Sequence, residues 1–332
     1  MSTKLCRRLL CLSLLTSLLI LPGCGPAKPA VSDPAAPKKL RVVTTCAMVT
    51  DIVRQVVGER AEVIGLLGEG SDPHLYTPGR NDVEQLASAD VVFYSGLMLE
   101  GGMDRVLKHE ANKKKPVFAV TDVLEKSFLR SPPEFEGHPD PHVWMDVKAW
   151  SQCVGFVAEK MAEIDAPGAE TYRKKAAAYQ KQLSELDDYI RSTIATVPES
   201  QRYLVTAHDA FEYFARAYDI QVKSVQGIST QSEAAVSDVN ELVDFMVKQK
   251  VPAIFVESSV SPKNIEAVKE GCASRGWQVT VGASLFSDAM GGPGTYEGTY
   301  IGMLDHNATK VARTLGGTAP ELGWQGKLAA EK

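Results

Sequence analysis

Residues 169–195 read AETYRKKAAAYQKQLSELDDYIRSTIA. No Gly or Pro interrupts them, while Pro167 and Gly168 stand before the stretch and Pro198 after it. Apolar side chains recur at Tyr172, Ala176, Tyr179, Leu183, Leu186, Ile190 and Ile194. Steps of three and four place them on one face of an α-helix, with Lys, Gln, Glu and Asp on the other. At about 1.5 Å per residue the helix is roughly 40 Å long, the span of a domain. The patterns on its two sides decide what it does.

Before it, LRVVT (Leu40–Thr44), Ala61–Leu67, VVFY (Val91–Tyr94) and Val117–Val120 read as strands, with helical spacing at Val49–Val57, Asp82–Ser88 and Met103–His109. After it, YLVT (Tyr203–Thr206), Val222–Val225, AIFV (Ala253–Val256) and Gln278–Val281 read as strands. They alternate with helices at Ala210–Tyr218, Val236–Gln249, Lys263–Ser274 and Asn307–Leu315. Strand–helix alternation implies parallel sheets. The predicted fold is α/β: two parallel-sheet lobes, at 40–166 and 198–332, joined by one long bridging helix at 167–197.

The 332-residue chain is 44% hydrophobic and 23% charged, a balance that excludes disorder. Its net charge of −5 argues against a nucleic-acid partner. Only one long apolar run exists, Leu9–Leu21, preceded by Lys4, Arg7 and Arg8 and ended by Pro22-Gly23. That is the layout of an export signal over residues 1–23. Losing three bases and no acids takes the mature charge to about −8. Leu21-Pro-Gly-Cys24 resembles the lipobox of bacterial lipoproteins, which implies a lipid on Cys24 and a bilayer anchor. Residues 24–39, rich in Pro and Ala, then form a tether. The expected location is extracytoplasmic, on the periplasmic side or the cell surface. Cys46, Cys153 and Cys272 are too few for a disulfide scaffold and include no Cys-x-x-Cys pair.

Asp-Pro-His occurs twice, at Asp72–His74 and Asp140–His142, with an aromatic residue two positions on each time, Tyr76 and Trp144. Proline restrains the backbone before each imidazole, as suits a preorganised ligand. His208 follows the YLVT strand, and ligands of open α/β sheets bind at the C-terminal ends of strands. No short-range His pair exists, so spacing alone leaves a metal site and satisfied core histidines equally open.

GEGSDPHLYTPGRNDVEQLASADVVFYSGLMLEGGMDRVL, DPHVWMDVKAW, TAHDAFEYFARAYDI, VQGISTQSEAAVSDVNELV and LFSDAMGGPGTYEGTYIGMLDHN resemble, in order, the blocks of solute-binding lipoproteins from bacterial zinc and manganese ABC importers. The resemblance covers most of residues 40–310. It implies a receptor, not an enzyme, that binds Zn²⁺ or Mn²⁺ between its lobes and delivers it to a membrane permease, working as a monomer. It also implies the ligands His74, His142, His208 and Asp288. Three imidazoles and a carboxylate suit Zn²⁺ and accept Mn²⁺. The loop Ser131–His138 lacks the His-rich run of many zinc-type relatives, which leaves both metals open. Glu257 and Glu233 are expected to support the ligands through hydrogen bonds, and Asp146 and Asp209 to cap helices. His109, His138 and His306 read as surface residues. Two other readings remain: a lipoprotein adhesin, and a zinc hydrolase with Glu257 as general base.

Overall fold

The computed structural model describes residues 39–330 apart from 69 and 136. The expected leader, Cys24 and nearly all of the tether lie outside the described residues. Among the described residues no helix is long and apolar enough to cross a membrane.

In the first lobe, β1 (Leu40–Thr44), β2 (Ala61–Gly65), β3 (Val91–Tyr94) and β4 (Val117–Ala119) form a parallel sheet in the order β2-β1-β3-β4. Helices α1 (Ala47–Val57), α2 (Arg80–Ser88) and α3 (Asp104–Asn112) connect them. The central strands VVT and VVF are buried, as β-branched runs covered on both faces should be. Two further helices follow, α4 (Val147–Ile164) and α5 (Ala169–Ala195).

The second lobe repeats the plan. β5 (Tyr203–His208) pairs with β6 (Gln221–Gln226), and β7 (Ala253–Ile254) with β8 (Thr280–Val281), all parallel. Phe255 N–H donates to the Val205 carbonyl at 2.8 Å, which sets the two pairs side by side in the order β6-β5-β7-β8. Helices α6 (Glu212–Tyr218), α7 (Val236–Gln249), α8 (Lys263–Ser274) and α9 (Tyr300–Thr314) complete the lobe.

Helix α5 bridges the lobes as its stripe requires, with Tyr172, Leu183, Leu186, Ile190 and Ile194 all fully buried. Tyr179 Oη donates to Asp51 of α1 at 2.8 Å, and Tyr189 Oη meets Thr309 of α9 at 2.7 Å. One hydrophobic core runs through both lobes, containing Val42, Trp150, Leu183, Leu204 and Met303. Each Leu or Ile fully buried there is worth about 1.5–3 kcal/mol, which opposes any motion that peels α5 from either lobe.

The structure departs from the sequence reading at three places. Spacing placed no element between Val120 and Ala169, yet α4 fills Val147–Ile164, and Asp146 caps it by accepting from Ala149 N–H at 3.1 Å. Its period, Trp150, Cys153, Val154, Val157, Ala158 and Met161, was present in the sequence. Helix α9 begins at Tyr300 and not at Asn307, where Thr299 caps it by accepting from Gly302 N–H at 3.0 Å; its first turns are buried and show no amphipathic stripe. β7 stops at Ile254, although the chain beyond it keeps pairing irregularly, with Glu257 bridging Leu285 in parallel.

Candidate metal centre

Four side chains converge at the C-terminal edges of the two sheets. His74 lies in the loop after β2, and His142 opens the turn leading into α4. His208 is the last residue of β5, and Asp288 lies in the loop after β8. One ligating atom from each falls within 4.8 Å of the others. All four are buried: His142 and His208 at 0%, Asp288 at 1% and His74 at 2% exposure. These are the residues that the family resemblance implies.

Their inner atoms crowd together and satisfy one another only in part. His74 Nε2 is 3.2 Å from His142 Nε2. Asp288 Oδ1 is 3.3 Å from His142 Nε2, and Oδ2 is 3.0 Å from His208 Nε2. The last approach is close, but its angles do not make a hydrogen bond. His208 Nε2 and both Asp288 oxygens are left as buried polar atoms without a hydrogen-bond partner. A native interior rarely tolerates three such atoms side by side. Ligating atoms aimed at one point fit a shared cation once the imidazoles are neutral.

The outer atoms are fully engaged. His142 Nδ1–H donates to Asp140 Oδ1 at 2.8 Å, while Asp140 Oδ2 accepts from Arg130 at 2.8 Å. His208 Nδ1–H donates to Glu257 Oε2 at 2.5 Å. The other Glu257 oxygen accepts from the backbone N–H groups of Ala207 and His208 at 2.7 and 2.9 Å. A carboxylate on Nδ1 fixes the tautomer whose Nε2 lone pair faces the centre, and it raises ligand basicity.

The same contacts set the protonation of the ligands. Burial pulls His142 down, but its hydrogen bond to Asp140 and the nearby charge of Asp288 outweigh it and lift the imidazole to about 9. His208 is likewise penalised by burial and held well above its ordinary value by Glu257 and Asp288. His74 lacks a carboxylate bonded to its ring, and burial lowers it to about 3. Burial would raise Asp288, but His208 and His142 keep it well below the usual carboxylate range.

Both Asp-Pro-His motifs fold alike at first. The Asp carboxylate accepts from the His N–H two residues on, at 2.8 Å for Asp72 and 3.0 Å for Asp140. Asp140 then secures its own imidazole, a role that sequence reasoning missed although the repeated motif carried the signal. Glu257 is bonded to the His208 ring. Glu233 is exposed and lines a cavity beside Asp72. Asp209 caps no helix, since α6 starts after Phe211 without a side-chain cap. His109 and His138 are exposed, whereas His306 is partly covered and its Nε2 meets the Ser284 carbonyl at 2.9 Å. The three cysteines are buried and unbridged.

The hydrolase reading required Glu257 to activate a metal-bound water. Both of its oxygens are committed to His208 and the backbone, on the far side of the imidazole from the centre. This corrects that alternative.

The family model described as zinc-uptake complex component A periplasmic matches residues 42–314. A zinc-binding protein, TroA of Treponema pallidum, is 44% identical over 85% of this chain and 91% of its own. A manganese-binding lipoprotein, MntA of Bacillus subtilis, is 41% identical over 91% of this chain and 97% of its own. The solved structure of the T. pallidum periplasmic zinc-binding protein superposes with a TM-score of 0.81, covering 83% of this chain and 99% of that one. An Fe(III)-bound protein, YtgA of Chlamydia trachomatis, superposes with a TM-score of 0.77 at 26% identity.

Proposed function

The chain belongs to the family of periplasmic zinc-uptake components, and from that premise we propose that it captures a transition-metal ion with His74, His142, His208 and Asp288. It is a substrate-binding protein of a metal ABC importer and not an enzyme. It acts outside the cytoplasm and works with the importer's membrane components. The carrying observation is the convergence of four buried ligating groups within 4.8 Å, among which His208 Nε2 and both Asp288 oxygens have no hydrogen-bond partner. Four protein ligands close a tetrahedral shell, as suits a cargo site, whereas a catalytic zinc keeps one position for water.

Three nitrogens and one oxygen favour zinc over manganese. Named relatives divide between the two metals, so the donor set is the physical argument for this chain. Elemental analysis of protein purified without added metal, followed by competition titration, tests it. Zinc is expected to be retained and to displace manganese. Retention of manganese against equimolar zinc would overturn the preference.

Our domain partition is a first lobe at 40–166, a bridge at 167–197 and a second lobe at 198–332. The repeated strand order and the two-ended hydrogen bonding of α5 support it. We further read Cys24 as lipidated and the receptor as a monomer anchored to a bilayer. The lipobox-like Leu21–Cys24 and the lipoprotein names of several relatives support the anchor. Mass spectrometry of the mature N-terminus checks it, and an unmodified Cys24 would refute it.

Proton release on binding follows from the ligand environment. Imidazoles ligate only when neutral, and His142 and His208 are held protonated at pH 7. Raising the pH removes those protons and favours the metal, while lowering it does the opposite. Ordinary imidazoles would place the fall in affinity near pH 6. The carboxylates extend it upward, so affinity should keep rising from pH 6 toward about 9. Calorimetry in buffers of different ionisation enthalpy should find about two protons released per metal at pH 7. Release of none would contradict the assignment.

A further inference from the structure

The two Asp-Pro-His motifs diverge at their second carboxylate oxygen. Asp140 spends it within its own lobe, on Arg130. Asp72 spends it on the opposite lobe, where Oδ2 accepts from Thr230 Oγ1 at 2.5 Å. The neighbouring Gln231 repeats the crossing, its Nε2 donating to the His74 carbonyl at 2.9 Å. The loop bearing these residues is braced from behind, since Gln226 Nε2 donates to the Thr230 and Ser232 carbonyls at 3.1 and 2.5 Å.

His74 is the ligand whose ring lacks a carboxylate bond, and the residue after it, Leu75, is 58% exposed. Its loop is tied to its own lobe through Tyr76, whose Oη donates to Asp82 at 2.8 Å, and beside His74 itself the side-chain holds come from the other lobe. Beside these contacts is a cavity of about 220 Å³ bounded by Asp72, Leu75, Thr230 and Ser259. The Ser259 hydroxyl meets that of Ser287, next to Asp288, at 3.1 Å. The cavity thus lies between the His74 loop and the Ser259–Asn264 segment, which touches the Asp288 segment through Ser259. With one core running through both lobes and α5, a loop moves at far less cost than a lobe.

We propose that Thr230 and Gln231 act as an interlobe clasp on the Asp72–His74 loop, and that opening this clasp is the step by which the metal leaves. The inference rests on the metal-binding reading above and adds to it two positioning residues outside the ligand set. Asp72 transmits the hold, because one of its oxygens fixes the His74 N–H and the other is gripped by Thr230. A hydroxyl bonded to a carboxylate is a charge-assisted contact. Its loss should favour the open loop without altering the four ligating atoms.

The test is zinc dissociation into excess chelator by stopped flow, for the wild type, Thr230→Val, Gln231→Leu and Thr230→Ser. Thr230→Val should speed dissociation about tenfold, since a hydrogen bond to a charged group is worth about that factor. Gln231→Leu, at an exposed position, should give a smaller rise of about threefold. Association rates and the melting temperature of the metal-free proteins should stay at wild-type values. Thr230→Ser keeps the hydroxyl and should dissociate like the wild type. Dissociation of Thr230→Val within twofold of wild type would overturn the clasp. So would an equal acceleration in Thr230→Ser, which would mark a packing effect. A wild-type protein that binds no zinc would instead defeat the reading of the centre itself.

Discussion

Replacing Asp288 by alanine is expected to weaken zinc binding by at least about a hundredfold. Structural zinc sites yield about 10–16 kcal/mol from four ligands, so one ligand carries about 3 kcal/mol, roughly a factor of a hundred. Asp288 is the sole anion in the set and is 1% exposed, so little solvent screens its charge from the cation. Its oxygens lie 3.3 Å from His142 Nε2 and 3.0 Å from His208 Nε2, the positions a shared cation requires. Asp288→Asn keeps an oxygen ligand and nearly the same volume but loses the charge, so its affinity should fall between the two. Competition against a chromophoric chelator at fixed pH measures all three proteins. Wild-type affinity in Asp288→Ala would remove Asp288 from the site.

The second large effect belongs to a residue that touches no metal. Glu257→Gln should lower zinc affinity by about 10–100-fold, the usual cost of losing a carboxylate behind a ligating histidine. Three donors converge on Glu257: the N–H groups of Ala207 and His208, and the His208 ring Nδ1–H. A glutamine offers one oxygen and one NH₂ group. If its oxygen takes the backbone donors, its NH₂ faces Nδ1 and favours the tautomer with a proton on Nε2. That proton points at the centre and must be displaced before a metal binds. ¹⁵N shifts of the His208 ring, recorded at a pH where the ring is neutral in both metal-free proteins, should show the change of tautomer in the variant, and chelator competition gives the affinity. Unchanged shifts together with unchanged affinity would limit Glu257 to holding the backbone.

Much of this molecule is written in contiguous residues. The stripe of α5 is a matter of period, and its uninterrupted run makes it a helix whatever surrounds it. The strand–helix alternation on both sides likewise announces parallel sheets, because each element needs only its own pattern. The hydrogen bond within each Asp-Pro-His motif spans two residues, so it too is local. Helix α4 was equally legible through Asp146 and its apolar period, although the sequence reading passed over it. The early part of α9 was not, since a helix covered on nearly all sides shows no amphipathic stripe.

The centre is another matter. No spacing rule joins His74 to His208 or either to Asp288, and the resemblance, not the periodicity, drew the four together before the fold was known. Only the packing of two similar sheets across α5 places the ends of β2, β5 and β8 edge to edge. The fates of the twin aspartates separate for the same reason. Sequence dictates that Asp72 and Asp140 each accept from a backbone N–H two residues on. The remaining oxygen takes whatever donor the tertiary fold supplies, Arg130 in one case and Thr230 of the opposite lobe in the other. Local geometry is set by covalent neighbours, whereas partners 158 residues apart are set by how the two lobes pack.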